Sequence, residues 1–349
     1  MNLKTKSGMT IILTACLSAC GGGGSSDQVA VTPPVVTPPM VTPPVVTPGE
    51  LQTTVSTLTY AQGSPEFALV TSYNDFRSKL GLGLLAQNPL LDTAASNHLH
   101  YVLTNDINNG GTVNMAAINT KYKRPQFHIE DSTKPLYTGD QEIDRALHAG
   151  YLGAYIGEEG AFGGNQGILA AFNSLVATVY HRAGLMYQFP REIGVSVGSD
   201  VSQTAVIELG YQTGAKIQSN ASDYLGTYPA DKQAAVPLHA GVETPNPFPD
   251  LSTANADFPT KTSFPICVTI KEGLTLKVGS FTVIEAGQAT PLDVRLMTNA
   301  NDPNGYLASN TAFIIGKSPF KAKTVYNVSF SGTVGATAIN KAWSFTTGN

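Results

Sequence analysis

The sequence contains 349 residues, of which 42% are hydrophobic and only 13% are charged, and its formal net charge is −4 at pH 7. The charged fraction is about half that of an ordinary soluble domain. Nucleic-acid binding requires a basic surface, so this slightly acidic composition argues against that class of protein. The length favours two domains over one.

The first 19 residues are predicted to be a signal peptide. Lys4 and Lys6 precede an apolar run over residues 9–17, which is too short to cross a bilayer, since a spanning helix needs about 20 apolar residues. Residues 17–20, Leu-Ser-Ala-Cys, resemble the bacterial lipoprotein signal, in which cleavage precedes a lipidated cysteine. We therefore predict lipidation of Cys20. The alternative is an ordinary secretory signal that contains this cysteine.

Residues 20–60 are predicted to form a lipidated linker. A Gly/Ser run follows Cys20, and Val-Thr-Pro-Pro then recurs at 31–34, 36–39 and 41–44, which favours an extended polyproline-like spacer. By resemblance to Gram-negative lipoproteins, Gly21 after the cysteine implies an outer-membrane lipoprotein on the periplasmic or cell-surface side. The lipid anchor would be its membrane attachment.

Residues 62–225 carry a helical half followed by strands. Apolar residues recur at three- and four-residue steps over 66–82, 90–105 and 166–181, which predicts three amphipathic helices. Strand-like runs follow at 193–197 and 205–209. This order predicts an α+β fold. Beyond Cys16 and Cys20 the chain holds one cysteine, Cys267, so the folded part has no internal disulfide.

Four motifs in this region occur in a recognisable order. They are Tyr-Asn-Asp-Phe-Arg at 73–77, Phe-His-Ile-Glu at 127–130, Ile-Gly-Glu at 156–158, and His-Arg at 181–182. Together they resemble the CAP superfamily of cysteine-rich secretory, antigen 5 and pathogenesis-related 1 proteins, over about 150 residues. The resemblance implies an α-β-α sandwich for residues 62–225. Asn74 and Arg77 are expected to anchor the fold through hydrogen bonds.

The resemblance also implies a cleft in which two histidines and two acids face each other. Carried over by position, His128, Glu158 and His181 occupy three of these places. Eukaryotic members have the second acid shortly before the last histidine, where this chain has Leu175, Val176, Thr178 and Tyr180. Thr178 stands where bacterial relatives often have serine. Glu159 replaces a common asparagine and could offer a carboxylate.

Two imidazoles and a carboxylate are adequate ligands for a divalent metal such as zinc, so His128, Glu158 and His181 could form a metal site. Hydrolysis would need a nucleophile placed beside a base, and the sequence shows no Gly-x-Ser-x-Gly elbow. We name no catalytic residue, and the chain is predicted to be a binding protein rather than an enzyme.

Each cleft residue also has a structural interpretation. His181 could complement the negative end of a helix dipole, His128 could be an interior histidine, and Glu158 could cap a helix. His98, along with His100 and His148, has no motif partner and is expected at the surface or in the core.

Residues 226–260, rich in proline and aspartate, are predicted to be a linker, and 261–349 an all-β sandwich. Its strand-like runs, separated by turn residues about every ten positions, are 266–270, 274–284, 292–297, 312–316, 324–331 and 342–347. The last two resemble the terminal strands of bacterial Ig-like modules, and Trp343 is expected in the core.

We therefore predict a membrane-anchored, extracytoplasmic binding or surface-interaction module whose partner is a lipid-like, peptidoglycan or protein ligand. The alternative is a metal-dependent or hydrolytic enzyme that uses His128, Glu158 and His181.

Overall fold

Six α-helices and twelve β-strands make up the part of the chain that the computed structural model describes, residues 49–107, 113–114, 117–201, 203–250 and 257–349. The helices are α1 (Pro65–Leu80), α2 (Pro89–Asn105), α3 (Glu142–His148), α4 (Ile168–Val176), α5 (Tyr180–Leu185) and α6 (Phe258–Lys261). The strands are β1 (Ala86–Gln87), β2 (Gly153–Phe162), β3 (Glu192–Val197), β4 (Thr204–Gln212), β5 (Leu225–Tyr228), β6 (Gln233–Val236), β7 (Ile266–Ile270), β8 (Leu276–Glu285), β9 (Val294–Thr298), β10 (Thr311–Gly316), β11 (Val325–Val334) and β12 (Thr337–Thr347). The predicted α+β class is confirmed. Cys20 and the predicted linker as far as residue 48 lie outside the described residues.

The first sheet has the strand order β1-β3-β4-β2, so β2 lies at its edge. Helices α2 and α3 pack on one face, where Leu91 and Ala146 share a cluster with Ile156 of β2. Helices α1 and α4 pack on the other face, where Phe172 joins the cluster that contains Ile207 of β4. The first half of the described chain therefore has helices on both sides of one sheet.

Helices α1 and α2 begin where side-chain caps are available. Ser64 accepts a hydrogen bond from the N–H of Phe67, and Asn88 accepts one from Leu90, in each case with proline as the first helical residue. Gly81 ends α1 with φ +72°, a left-handed conformation that glycine adopts without strain. The two predicted helices are confirmed to within two residues at their ends.

The anchoring role predicted for Asn74 and Arg77 is confirmed. Asn74 exchanges two hydrogen bonds with the main chain of Leu85, at 2.8 and 3.0 Å. The buried guanidinium of Arg77 donates to the carbonyl oxygens of Gly83 and Tyr187. These side chains connect α1 to the strand and loop segments beside it.

The predicted helix over 166–181 is two helices in the structure. α4 ends at Val176, and α5 begins at Tyr180. The N–H groups of Val179, Tyr180 and His181 bind the Glu243 carboxylate rather than carbonyl groups of the preceding turn. This distant acid therefore sets the start of α5.

The second half of the described chain forms two four-stranded sheets, ordered β5-β7-β10-β9 and β6-β12-β11-β8. Neighbouring strands are antiparallel except for the β12–β6 pair. Trp343 is 5% exposed and packs beside Phe281, which confirms its expected core position. β6 and most of β5 lie within residues 226–260, so this proline-rich segment, predicted to be a linker, contributes strands to both sheets.

One hydrophobic core runs through both halves, and all described residues belong to one compact unit. The Phe76 ring of α1 meets Tyr228 of β5 at 5.0 Å between centroids. The buried Arg182 guanidinium donates to the carbonyl oxygen of Pro265 and lies 4.5 Å from the Phe264 ring. The cleft residues of the first half are thus positioned in part by the second.

Candidate functional site

His128 and Glu158 form a hydrogen-bonded pair on the edge strand of the first sheet. A short 3-10 turn, Gln126–His128, carries His128 over β2, and Glu158 lies in the middle of that strand. His128 Nδ1 is 2.8 Å from Glu158 Oε1, while Arg145 Nη2 of α3 is 2.5 Å from Oε2. Both oxygens of Glu158 are therefore occupied, and the carboxylate orients the imidazole so that Nε2 has no hydrogen-bond partner among the described residues.

A buried polar network extends from this pair. His98 Nδ1 is 2.9 Å from Glu130 Oε1, and its Nε2 is 2.8 Å from the carbonyl oxygen of Phe127. Glu130 also accepts a hydrogen bond from the N–H of Thr138 at 2.6 Å. His98 was expected at the surface or in the core. It is fully buried, and it links α2 to the loop before His128.

Glu208 of β4 faces Glu158 across the strand pair β2–β4, and the two acids have opposite ionisation. Burial and the negative charge of Glu158 raise the pKa of Glu208 well above its ordinary value. Burial also disfavours the charged form of Glu158, but Arg145, His98 and His128 outweigh burial and hold its pKa well below the ordinary value. Glu158 is thus a carboxylate beside a neutral Glu208 carboxyl group.

His181 has an acidic partner that comes from the connecting segment. Glu243, 2% exposed, lies 62 residues further along the chain, and its Oε1 is 2.8 Å from His181 Nδ1. The same carboxylate accepts the N–H groups of Val179 at 3.0 Å, Tyr180 at 2.8 Å and His181 at 2.8 Å. Glu243 therefore caps α5 and orients the imidazole with one side chain.

The surroundings of His181 favour the imidazolium form. Burial lowers its pKa, but the hydrogen bond to Glu243 and the negative charges of Glu159 and Glu243 outweigh burial and raise the pKa to about 9. At neutral pH, His181 therefore carries N–H groups on both ring nitrogens. Its Nε2 is a hydrogen-bond donor, for which the described residues supply no acceptor.

A cavity of about 270 Å³ lies between the two imidazoles. We call it the imidazole cleft. Its walls are largely apolar, with a few hydroxyl and charged groups among them. They consist of Pro125, Phe127, His128, Gly160, Phe162, Ala171, Ser174, Leu175, His181, Val242, Glu243 and Thr244.

Glu159 lies next to the paired acid but does not share its network. Alternate residues of a strand face opposite sides, so Glu159 points towards α5, and a Cβ atom added to Gly184 would lie 2.5 Å from its Oε1. Burial raises the pKa of Glu159, although the positive charges of His181 and His128 oppose that effect. A residue larger than glycine at 184 would have to displace the end of this side chain.

The structure gives each of the three predicted site residues a place. His128 and His181 line the same cleft, while Glu158 lies behind His128 and contacts it through Nδ1. Within the described ranges, no group of three or more His, Cys, Asp and Glu side chains is arranged to hold a metal ion. Metal ligation by His128, Glu158 and His181 stays a prediction.

Thr178 is not placed as a nucleophile. Its hydroxyl group donates to the carbonyl oxygen of Leu175 at 2.7 Å, and the residue is 2% exposed in the turn between α4 and α5. Cys267 is also buried, beside Met186. In the described part of the chain, no hydroxyl or thiol group is hydrogen-bonded to the His128 or His181 ring.

The structural interpretations of the three cleft residues are wrong. His181 lies at the second residue of α5 rather than at a helix C-terminus, so it does not complement the negative end of a dipole. Glu158 lies within β2 and caps no helix. His128 is not an interior histidine, because its side chain is 17% exposed and lines the cleft.

Sequence reasoning did not assign a role in the site to Glu243, Glu208, Arg145 or Glu130. Glu130 is the last residue of the motif at 127–130, and its place in that motif could have identified it as a residue of the site. Glu243 has none, because it stands in a segment that resembles a linker.

No family model and no curated protein matches the chain. Among solved structures, it is similar to an outer surface protein from Borrelia burgdorferi. The identity is 14%, the TM-score is 0.33, and the match covers 44% of this chain and 96% of that one. Across the described residues, none of the helices has the length and apolar character needed to cross a membrane.

Proposed function

We propose that this chain is a binding protein of the bacterial envelope whose imidazole cleft takes a small, largely apolar ligand carrying one polar group. The observation that carries the proposal is the cleft itself, about 270 Å³ with apolar walls and two imidazoles, each oriented by a buried carboxylate. Ligand sites in proteins commonly combine apolar walls with a few fixed polar groups.

The two imidazoles offer hydrogen bonds to such a ligand. His181 donates from Nε2 at neutral pH because its pKa is raised to about 9. His128 Nδ1 is bonded to Glu158, so its Nε2 is the ring nitrogen that faces the cleft. A hydroxyl group fits this site, since its oxygen can accept the hydrogen bond that His181 donates.

Benzyl alcohol is a suitable probe, because it joins a hydroxyl group to an apolar ring. Residues 21–349 labelled with ¹⁵N would be titrated with it while the imidazole nitrogen resonances are followed. We expect the Nε2 signals of His128 and His181 to shift together. Ser174→Phe, at the exposed rim of the cleft, should abolish the shift, whereas Asn173→Phe, the exposed neighbour outside the lining, should preserve it.

Equal shifts in the two variants would show that the probe binds elsewhere, and no shift in the parent would overturn the proposal. A parallel titration with zinc tests the alternative role as a metal-dependent enzyme. Zinc that binds stoichiometrically and displaces benzyl alcohol would favour that alternative instead. Hydrolysis is not supported by a nucleophile paired with a base among the described residues.

The family and location belong to the same proposal and are supported by sequence. The motifs at 73–77, 127–130, 156–158 and 181–182 support a CAP-superfamily domain with helices on both faces of its sheet. The strand-like runs at 324–331 and 342–347 support an Ig-like module after it. Candidate natural ligands are therefore lipid-like, peptidoglycan or protein groups. The Leu-Ser-Ala-Cys signal supports an outer-membrane lipoprotein anchored through Cys20.

The anchor can be tested by fractionation. We expect Cys20→Ala to move the protein from the membrane fraction to the soluble fraction, because the acylated thiol is lost. Cys16→Ala, in the signal peptide, is the matched control and should leave the protein with the membranes. Identical fractionation of the two variants would contradict lipidation of Cys20.

A further inference from the structure

The imidazole cleft runs along a strand edge with which no other described strand pairs. β2 is the last strand in the order β1-β3-β4-β2, and Gly160 and Phe162 of this strand line the cleft. An edge strand presents N–H and C=O groups that the sheet itself does not satisfy. The cleft therefore has main-chain groups in one wall, in addition to its two imidazoles.

Two hydrogen bonds show which residues of β2 face outward. The main-chain carbonyl oxygen of Thr204 accepts a hydrogen bond from the N–H of Gly198 at 2.8 Å, so it points towards β3. The main-chain carbonyl oxygen of Gln203 accepts one from the N–H of Gly163 at 3.4 Å, so it points towards β2. The direction of the main-chain groups alternates from one residue to the next along an antiparallel strand. The odd-numbered residues of β2 therefore direct their N–H and C=O groups towards β4. The N–H and C=O groups of Glu158, Gly160 and Phe162 then point to the free edge.

These outward groups have no hydrogen-bond partner among the described residues. Gly160 also lets the Phe127 ring come close to the strand, since an added Cβ would lie 2.5 Å from that ring. Phe127 and Phe162, 5.4 Å apart between centroids, form an apolar wall beside the free edge. The cleft thus combines unsatisfied main-chain groups with a place for an apolar side chain.

The charges of the walls fit an uncharged occupant. His181 and Glu243 form an ion pair, and His128 is paired with the Glu158 carboxylate, so the lining presents no isolated charge. A free His181 Nε2–H requires an acceptor, which a peptide carbonyl group supplies. An extended main chain about 4.7–4.9 Å from β2 would also satisfy its outward N–H and C=O groups.

We propose that the cleft binds an extended, uncharged peptide segment as an added strand on β2. One apolar side chain of the peptide occupies the cleft, with the Phe127 and Phe162 rings on one side and the imidazoles on the other. This inference rests on the proposed binding function and names its ligand class. Strand addition derives affinity from main-chain hydrogen bonds and specificity from pockets for alternate side chains. The cleft provides both features.

The test uses residues 21–349 and the blocked peptide acetyl-Ala-Thr-Leu-Thr-Ala-amide, with amide hydrogen exchange as the readout. We expect the peptide to slow exchange of the outward amides of Glu158, Gly160 and Phe162 at least tenfold. The inward amides of Glu159 and Ala161 already bond to β4, so their exchange should change little. Ser174→Phe should remove the protection and Asn173→Phe should keep it.

Two N-methylated peptides separate strand addition from other binding modes. One carries methyl groups on both threonine nitrogens, and the other carries them on the alanine and leucine nitrogens. Only one edge of an added strand faces β2, so one methylated peptide should bind like the parent and the other should lose affinity at least tenfold. Equal affinities of the two, or their equal loss, would overturn the inference.

The two proposals can fail separately. Benzyl alcohol that shifts both imidazoles, together with a peptide that protects none of the three outward amides, would overturn strand addition and leave the cleft function standing. Peptide protection that persists in Ser174→Phe would also overturn strand addition at this cleft. If neither probe acts on the cleft, both proposals fail.

Discussion

The two imidazoles of the cleft are oriented in the same way by carboxylates from different segments of the chain. His128 is oriented by Glu158, 30 residues away on the adjacent strand, and His181 by Glu243, 62 residues away on a connecting segment. In both pairs a buried carboxylate binds Nδ1 and leaves Nε2 towards the cavity. A rotating ring would lose the directed hydrogen bonds that a ligand needs, so the carboxylates are as important to the site as the histidines.

The substitution Glu243→Gln tests whether the Glu243 carboxylate sets the charge of His181. An amide keeps the shape but removes the negative charge, so the pKa of His181 should fall from about 9 towards its ordinary 6.5. The check is a pH titration of the His181 ring resonances by NMR. Asp75→Asn, whose side chain is 72% exposed, is the control and should leave the midpoint unchanged.

The same variant should change how stability depends on pH. The folded pKa of His181 lies above 6.5, so its pairing stabilises the fold fully below pH 6.5, and this contribution is lost as the pH rises through about 9. Glu243→Gln should flatten the stability–pH curve between these values. A His181 midpoint that stays near 9, or an unchanged curve, would show that Glu243 does not set the charge of the imidazole.

At the scale of elements, the pairing of β2 with β4 brings two acids face to face in a low-dielectric interior. Arg145 of α3 contacts Glu158, and among the described residues no second cation forms an ion pair with Glu208. Two adjacent buried carboxylates repel each other strongly, so one takes up a proton. The strand register therefore brings the two acids together, and the contact with Arg145 favours Glu158 as the charged one.

Glutamine substitutions distinguish the charged glutamate from the neutral one by their effects on stability. Glu158→Gln removes a buried charge paired with Arg145 and His128, and it should lower the free energy of unfolding by about 3 kcal/mol. Glu208→Gln replaces a neutral carboxyl group by a neutral amide, and it should cost less than about 1 kcal/mol at pH 7. Urea denaturation measures both.

The pH dependence provides a second check on this pair. Because the folded pKa of Glu208 is raised, its ionisation in the unfolded chain destabilises the fold progressively above pH 4.5. Glutamine does not ionise, so Glu208→Gln should gain stability relative to the parent as the pH increases. Equal losses for the two substitutions at pH 7 would contradict the assigned ionisation.

In the molecule as a whole, the two halves are joined by strands, by a helix cap and by hydrogen bonds. The connecting segment supplies β6, most of β5 and the Glu243 cap, and the Gly241 N–H binds the carbonyl oxygen of Ala177. Gln188 exchanges hydrogen bonds with the main chain of Ile270 and Glu272 at 2.7 and 3.0 Å. The cleft is complete only when both halves are folded.

We therefore expect residues 21–349 to unfold in one transition in differential scanning calorimetry. A fragment of residues 21–225 should show no cooperative transition, because it lacks Glu243 and leaves the Arg182 guanidinium without the Pro265 carbonyl group and the Phe264 ring. Two resolved transitions in the longer chain, or a fragment that melts at the temperature of the parent, would contradict this coupling.

Several elements could be predicted because their signals are local. Three- and four-residue apolar steps predicted α1 and α2, and strand-like runs separated by turn residues predicted most strands of the second half. β2 was not predicted, since Gly153–Phe162 contains three glycines and two glutamates and has no clean alternation. β5 and β6 were missed because four residues in a proline-rich segment carry too little pattern.

The amino-acid sequence alone predicts the α+β class, the main helices and strands, the lone internal cysteine, and the two histidines that face the cleft. The folded chain is needed to see that Glu243 pairs with His181, that Glu208 lies opposite Glu158, and that β2 presents its edge to the cavity. Periodicity and capping act within a few residues. Contacts between buried charges depend instead on strand register and on segments 50 to 62 residues apart.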